Sequence, residues 1–197
     1  DNATVTLRFS EAVASFASGD DITVASGTLA TMSSADNITW AGTFTPTANT
    51  EDASNTLSLA TSYSDTAGNA GLAATTANYV VDTLVPTLLE TTAVQSFTND
   101  NTSNYTFSTT EAGTITYGGS CSSDNSSATA DNNTITFNAL ADGTYSNCKI
   151  AVTDNASNTS DTLSVSSFTI TTSSGQDPLF EHQWYLVNTG QSAFASQ

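Results

Sequence analysis

The chain has 197 residues, with 2 Lys or Arg against 19 Asp or Glu and a formal net charge of −17; two cations cannot neutralise phosphates, which argues against nucleic acid and anionic membranes as partners. Thr (37), Ser (28) and Asn (17) dominate, and no apolar run approaches the ~18–20 residues of a spanning helix, so no membrane insertion is expected. Only 11% of residues are charged, yet 9 Phe, 6 Tyr and 2 Trp provide for a packed core rather than disorder.

Period-2 alternation runs through the whole sequence. Val5, Leu7 and Phe9 alternate with Thr4, Thr6 and Arg8, as in a strand with one buried face. Ile38-Thr39-Trp40 leading to Phe44, and Leu57-Ser58-Leu59 leading to Tyr63, repeat the pattern. Another strand is expected around Thr92–Phe97, followed by Tyr105–Phe107, Ile115–Tyr117, Ile135–Phe137, Ile150–Val152 and Leu163–Val165. Turn signals separate them at Ser18-Gly19-Asp20, Ala67-Gly68-Asn69 and Asp142-Gly143, and no window carries a helical period. Short strands at this spacing predict an all-β fold of sandwich type.

An internal repeat divides the chain. Asp65-Thr66-Ala67-Gly68-Asn69 recurs 89 residues later as Asp154-Asn155-Ala156-Ser157-Asn158, and Val81-Asp82-Thr83 falls on Ile170-Thr171-Thr172. The expected organisation is two tandem sandwiches, residues 1–82 and 83–172, then a linker and a further segment over 173–197. Pro86 marks the boundary, since it stops strand pairing. The strand preceding Tyr105 has no counterpart ahead of Val5, so the first sandwich is expected to lack its first strand.

Asp142-Gly143-Thr144-Tyr145 followed by Cys148 resembles the tyrosine corner of immunoglobulin-like domains. There the cysteine lies two residues after the Tyr; here it lies three residues on, which predicts a bulge near Ser146-Asn147. The other cysteine, Cys121, follows Tyr117 at the end of the third strand, so the expected disulfide joins neighbouring strands of one sheet. More widely, Phe9-Ser10-Glu11-Ala12-Val13, Phe44-Thr45-Pro46-Thr47-Ala48 and Val81-Asp82-Thr83-Leu84-Val85-Pro86-Thr87, with the repeated Asp-to-Asn turns, are similar to the tandem bacterial immunoglobulin-like domains of secreted and surface proteins, adhesins among them. This resemblance spans about residues 1–172 and implies an extracellular or bacterial cell-surface location. A separate stretch, Gln176-Asp177-Pro178-Leu179-Phe180-Glu181-His182-Gln183-Trp184-Tyr185-Leu186-Val187-Asn188-Thr189-Gly190-Gln191, resembles the start of subtilisin/kexin-like serine protease domains. It implies a downstream protease domain of the same chain as partner. No residues here match that enzyme's triad, and His182 matches no catalytic position, so no catalytic residue and no enzymatic activity are expected of this segment.

Calcium is the one cofactor with a geometric argument. In such a sandwich the second and sixth strands run the same way, which gathers their following loops at one end. Glu111 and the Asp154–Asn158 turn then meet Asp82 as the chain enters from the first sandwich, offering oxygens to a hard cation. The alternative is that these Asp and Asn residues only shape turns. The resemblance adds that such families stiffen domain junctions with calcium. Glu11, Asp65 and Asn69 form a weaker corresponding set, without a linker acid. Trp40 alternates with Ile38 and is expected in the core, Glu51-Asp52 and Gly19-Asp20-Asp21 on solvated turns, and Phe180 and Trp184 outside both sandwiches. The expected function is a non-catalytic spacer; the alternative is adhesion to a cell-surface glycan or protein.

Overall fold

The computed structural model describes residues 1–172; the protease-like stretch, with Phe180, His182 and Trp184, lies outside the described residues. The architecture is all-β, two immunoglobulin-like β-sandwiches in series. The first comprises β1 (Ala3–Arg8), a single helical turn α1 (Ser18–Asp21), β2 (Ile22–Val24), β3 (Gly27–Leu29), β4 (Thr39–Pro46), β5 (Glu51–Asn55), β6 (Leu57–Leu59), β7 (Ala74–Thr75) and β8 (Tyr79–Asp82). One layer has the order β1-β4-β3; the other holds β2-β6-β7 and the pair β5-β8. Alternation places Val5 and Leu7 inward, where they pack on a core of Phe9, Val13, Phe16, Met32 and Tyr63. Trp40 borders that core, its ring centroid 4.9 Å from Phe16.

The second sandwich follows through β9 (Leu88–Thr92), β10 (Phe97–Thr98), β11 (Asn104–Thr109), β12 (Gly113–Gly118), β13 (Ser127–Ala128), β14 (Asp131–Thr136), β15 (Gly143–Tyr145), β16 (Lys149–Asp154), β17 (Leu163–Ser164) and β18 (Phe168–Ile170). Its layers are β14-β11-β9 on one side, and β13-β12-β16-β17 with β10-β18-β15 on the other. The core is larger. Tyr105 and Phe107 are 0% exposed and Phe137, Ile150 and Phe168 1%, with Tyr105, Phe137 and Phe168 stacked in series at 5.8 and 6.2 Å. Among the described residues no sheet mixes strands of the two sandwiches.

The tyrosine corner forms: Tyr145 Oη donates to the Ala141 carbonyl at 2.8 Å. The irregularity expected after Tyr145 is a change of partner, for β15 pairs with β18 whereas β16, resuming at Lys149, pairs with β12. Cys148 sits at that change and is bonded to Cys121, three residues past the end of β12. The disulfide therefore links the ends of two hydrogen-bonded neighbours, as expected, and both cysteines are buried.

Three local expectations are corrected. The strand placed around Thr92–Phe97 is two strands, β9 and β10, because the chain crosses from one layer to the other and buries Val94 between them. Glu51-Asp52 is not a turn but opens β5, paired with Asp82 and Val81; Asp52 accepts from Ser26 Oγ at 2.8 Å. Asp21 is not solvated. It is 3% exposed, takes the Ala17 amide at 2.7 Å and the Ser62 hydroxyl, and so ties α1 to the loop after β6.

Candidate metal centre at the junction

The end of the second sandwich that faces the first is built by three segments. β11 ends at Thr109, whose hydroxyl donates to the Glu111 carbonyl at 3.0 Å and so holds the turn that carries Glu111. β16 ends at Asp154, which opens a tight turn. The Asp154 amide donates to the Asn158 carbonyl at 3.0 Å, and Ser157 adopts φ 75°. The repeat is structural here, since Asp65 and Asn69 make the same 3.0 Å bond and Gly68 stands in the position of Ser157 at φ 87°. A residue other than glycine in that left-handed region is uncommon, so the turn is maintained by its hydrogen bonds. Asp82, the last residue of β8, supplies the third segment.

Asp82, Glu111 and Asp154 are brought together: one carboxylate oxygen from each lies within 4.8 Å of the others. Asp82 and Glu111 are half-buried and Asp154 is buried. Asn158 joins them as a donor, with Nδ2 2.9 Å from Asp154 Oδ2 and 3.3 Å from Asp82 Oδ1. Its backbone amide also donates to Asp154 Oδ1 at 2.8 Å. Glu111 Oε1 is buried without a hydrogen-bond partner. The cationic side chains of the chain, Arg8 and Lys149, lie on β1 and at the far end of β16, the latter ~16 Å along the strand from Asp154 at ~3.3 Å per residue. The weaker set is less complete. Asp65 binds Asn69 Nδ2 at 2.6 Å, but Glu11 is exposed, and no third acid joins them among the described residues.

The electrostatics follow the geometry. Burial raises the Glu111 carboxyl above its ordinary value of 4.5, and repulsion from Asp82, Asp154 and Glu51 adds to the rise. Burial acts in the same direction on Asp154, but hydrogen bonds from the Asn158 side chain and from backbone amides outweigh it and hold that carboxyl below its usual range. Asp65 is lowered too, first by the Asn69 side chain. A carboxyl raised in the folded state binds protons more tightly there than in the unfolded chain. The stability it contributes is complete below pH 4.5 and is lost as pH rises through its higher folded value. In chelator, Glu111→Gln is therefore expected to raise Tm relative to the parent by an amount that grows from pH 4.5 towards 7. Paired melting curves across that range check this, and a difference independent of pH contradicts it.

Sequence reasoning had named all four residues of this cluster. It missed the contribution of Glu51, which reaches Glu111 electrostatically because β5 pairs with β8 at Asp82. That approach depends on how the two sandwiches meet, and no local motif signals it.

Residues 1–81 match the family model of a bacterial Ig-like domain, a span that ends one residue short of the end of β8. No curated protein matches the chain.

Proposed function

We propose that the chain is a non-catalytic, extracellular run of two immunoglobulin-like modules, joined at residues 82–83, that acts as a spacer stiffened by calcium at its junction. The observation that carries this reading is the meeting of Asp82, Glu111 and Asp154 within 4.8 Å, with a buried Glu111 oxygen that no protein group satisfies. Three acids held this close repel one another, and a hard cation taking 6–8 oxygen ligands removes the repulsion and supplies the missing partner. Asp82 belongs to the strand that ends the first module, whereas Glu111 and Asp154 belong to the second. A shared ion therefore fixes the angle between them. Asn158 would add its oxygen after an amide flip, a rotation that reverses which atom faces the acids.

The disulfide and a surface solubilised by hydroxyls and amides support an extracellular setting. Placement ahead of a subtilisin-like protease domain rests on the resemblance of residues 176–191 alone, and protease activity is expected only of a longer chain that carries a triad.

Calcium is expected to raise Tm, with a stabilisation of about 2.7 kcal/mol once its concentration reaches about 100 times Kd. Magnesium should do less, since it demands a tighter octahedral shell. Glu111→Gln should remove most of the calcium response. Melting curves in chelator and in calcium up to ~10 mM, above the ~0.1–1 mM Kd of extracellular calcium modules, test the reading. An unchanged Tm rejects the calcium; saturable binding of a glycan would reject the spacer.

A further inference from the structure

One long edge strand lies well inside the chain. β14 pairs with β11 on one side and, among the described residues, with no strand on the other. The Phe137 amide, just past β14, donates to the Ser103 carbonyl at 3.1 Å, on the β11 side. In antiparallel register Ile135 and Asn133 then share their main-chain bonds with β11, and the N–H and C=O groups of Asn132, Thr134 and Thr136 face the free edge. The Thr136 carbonyl agrees with this, since it accepts from Ser123 Oγ, on the loop after Cys121, at 2.7 Å. A cavity of about 440 Å3 lies beside the edge, lined by Thr134 and Thr136 of the strand and by Ser123, Asp124 and Asn125 of the loop.

The first sandwich fills the same edge. Its β4 is the counterpart of β14, because each pairs with the strand that leads to the glutamate of its module, β1 before Glu11 and β11 before Glu111. On its other side β4 pairs with β3, Thr45 opposite Thr28, and the amides of Ala30 and Ser33 continue the bonding to Thr43 and Ala41. In the second sandwich β13 joins β12 in the opposite layer instead. Edge strands are ordinarily guarded by Lys, Pro or an inward charge. Residues 132–138 read Asn-Asn-Thr-Ile-Thr-Phe-Asn and carry none of these, while Asn132, Thr134 and Thr136 are exposed.

We propose that β14 pairs with β14 of a second copy of this chain, antiparallel about a two-fold axis at Thr134, so that two three-stranded sheets join into one of six strands. The side chains select this occupant. β11 sets Asn104 opposite Thr136, Thr106 opposite Thr134 and Ser108 opposite Asn132. The Thr106 and Thr134 hydroxyls lie 2.9 Å apart, and Thr136 donates to Asn104 Oδ1 at 2.7 Å. The two-fold axis sets the partner's Asn132 opposite Thr136, the partner's Thr134 opposite Thr134 and the partner's Thr136 opposite Asn132. Each position therefore meets an amide or a hydroxyl of the kind that β11 already offers it, and such cross-strand pairs stabilise a ladder beyond its main-chain bonds. Those three pairs exchange up to about six main-chain hydrogen bonds, with the partner's Asn132 amide taking the place of the Ser123 hydroxyl. The one acid of the strand, Asp131, falls opposite the partner's Phe137 rather than opposite itself. Each copy uses the same patch, so the contact closes at two. A net charge of −17 on each copy opposes approach, and salt screens that repulsion. This proposal is independent of the calcium reading.

Sedimentation of the full chain up to ~1 mM tests it, with the dimer dissociation constant expected to fall at least about tenfold between ~0.02 and ~0.5 M NaCl. Under mild oxidation Thr134→Cys should give a disulfide-linked dimer, because the axis sets the two Cα atoms ~5.5 Å apart. Thr106→Cys, one strand further in on each copy and so ~14 Å from its mate, should not. Thr134→Lys and Thr134→Asp change an exposed residue, so each should keep the parent's melting curve while weakening association at least about tenfold. An equimolar mixture of the two should restore it, since opposite charges then meet at the axis. A monomer at every concentration and salt overturns the proposal, as does equal cross-linking at positions 106 and 134, or a charge-swapped mixture that fails to associate. Slow amide exchange at Asn132, Thr134 and Thr136 in a strictly monomeric sample also overturns it, by placing a segment of the same chain on the edge.

Discussion

Phe137→Ala is expected to destabilise the second sandwich by about 3–5 kcal/mol and to leave the first almost unchanged. Phe137 is 1% exposed and directly follows β14, in one layer, while Phe168, stacked on it at 6.2 Å, belongs to the other. Its ring thus bridges the layers, and on its other side it meets Tyr105 at 5.8 Å. Alanine leaves a void that strands anchored in two sheets cannot close, so the lost transfer energy and the cavity cost add. Denaturant unfolding followed by the intrinsic fluorescence of the two modules checks both parts. A loss under about 1 kcal/mol would mean that the site collapses readily and is not close-packed. Equal losses in both modules would mean that the cores are not separate.

Removing the disulfide is the other large change. Cys121 and Cys148 are 27 residues apart in sequence, and closing a loop of that length stabilises by about 3–4 kcal/mol in the chain-entropy model. The double alanine variant is the right comparison, because both sulfurs are buried and a serine hydroxyl at either position would need a hydrogen-bond partner. Chemical denaturation should show a lower midpoint for the second sandwich. The tyrosine corner should persist, since the bond from Tyr145 to Ala141 spans only four residues and involves neither cysteine. A variant as stable as the parent would show that the unfolded chain is already compact enough for the bridge to remove little of its entropy.

The proposed calcium site and Glu111 lie where the two modules meet, so their expected effects depend on ion concentration and pH. The first core is the thinner: among the described residues seven apolar side chains are buried in the first sandwich against fourteen in the second.

Side-chain alternation determined the layers from sequence alone. Val5-Leu7-Phe9, Ile115-Tyr117 and Ile150-Val152 each put apolar residues on one face of a pleated strand, and a strand so patterned must bury that face. The Asp-to-Asn turns were equally legible, because their geometry is held by bonds within five residues, such as Asn69 and Asn158 to their own aspartates. Long-range partnerships were not legible. The burial of Asp21 depends on Ala17 and on Ser62, forty-one residues away. Glu51-Asp52 reads as a turn because its residues disfavour strands, yet pairing with β8 overrides propensity. The stretch around Thr92–Phe97 reads as one strand because periodicity cannot tell which layer a residue joins. Tertiary structure alone decided that it crosses between layers and that Glu51 approaches Glu111. Each of these depends on where distant backbone comes to lie, a quantity that local pattern does not encode.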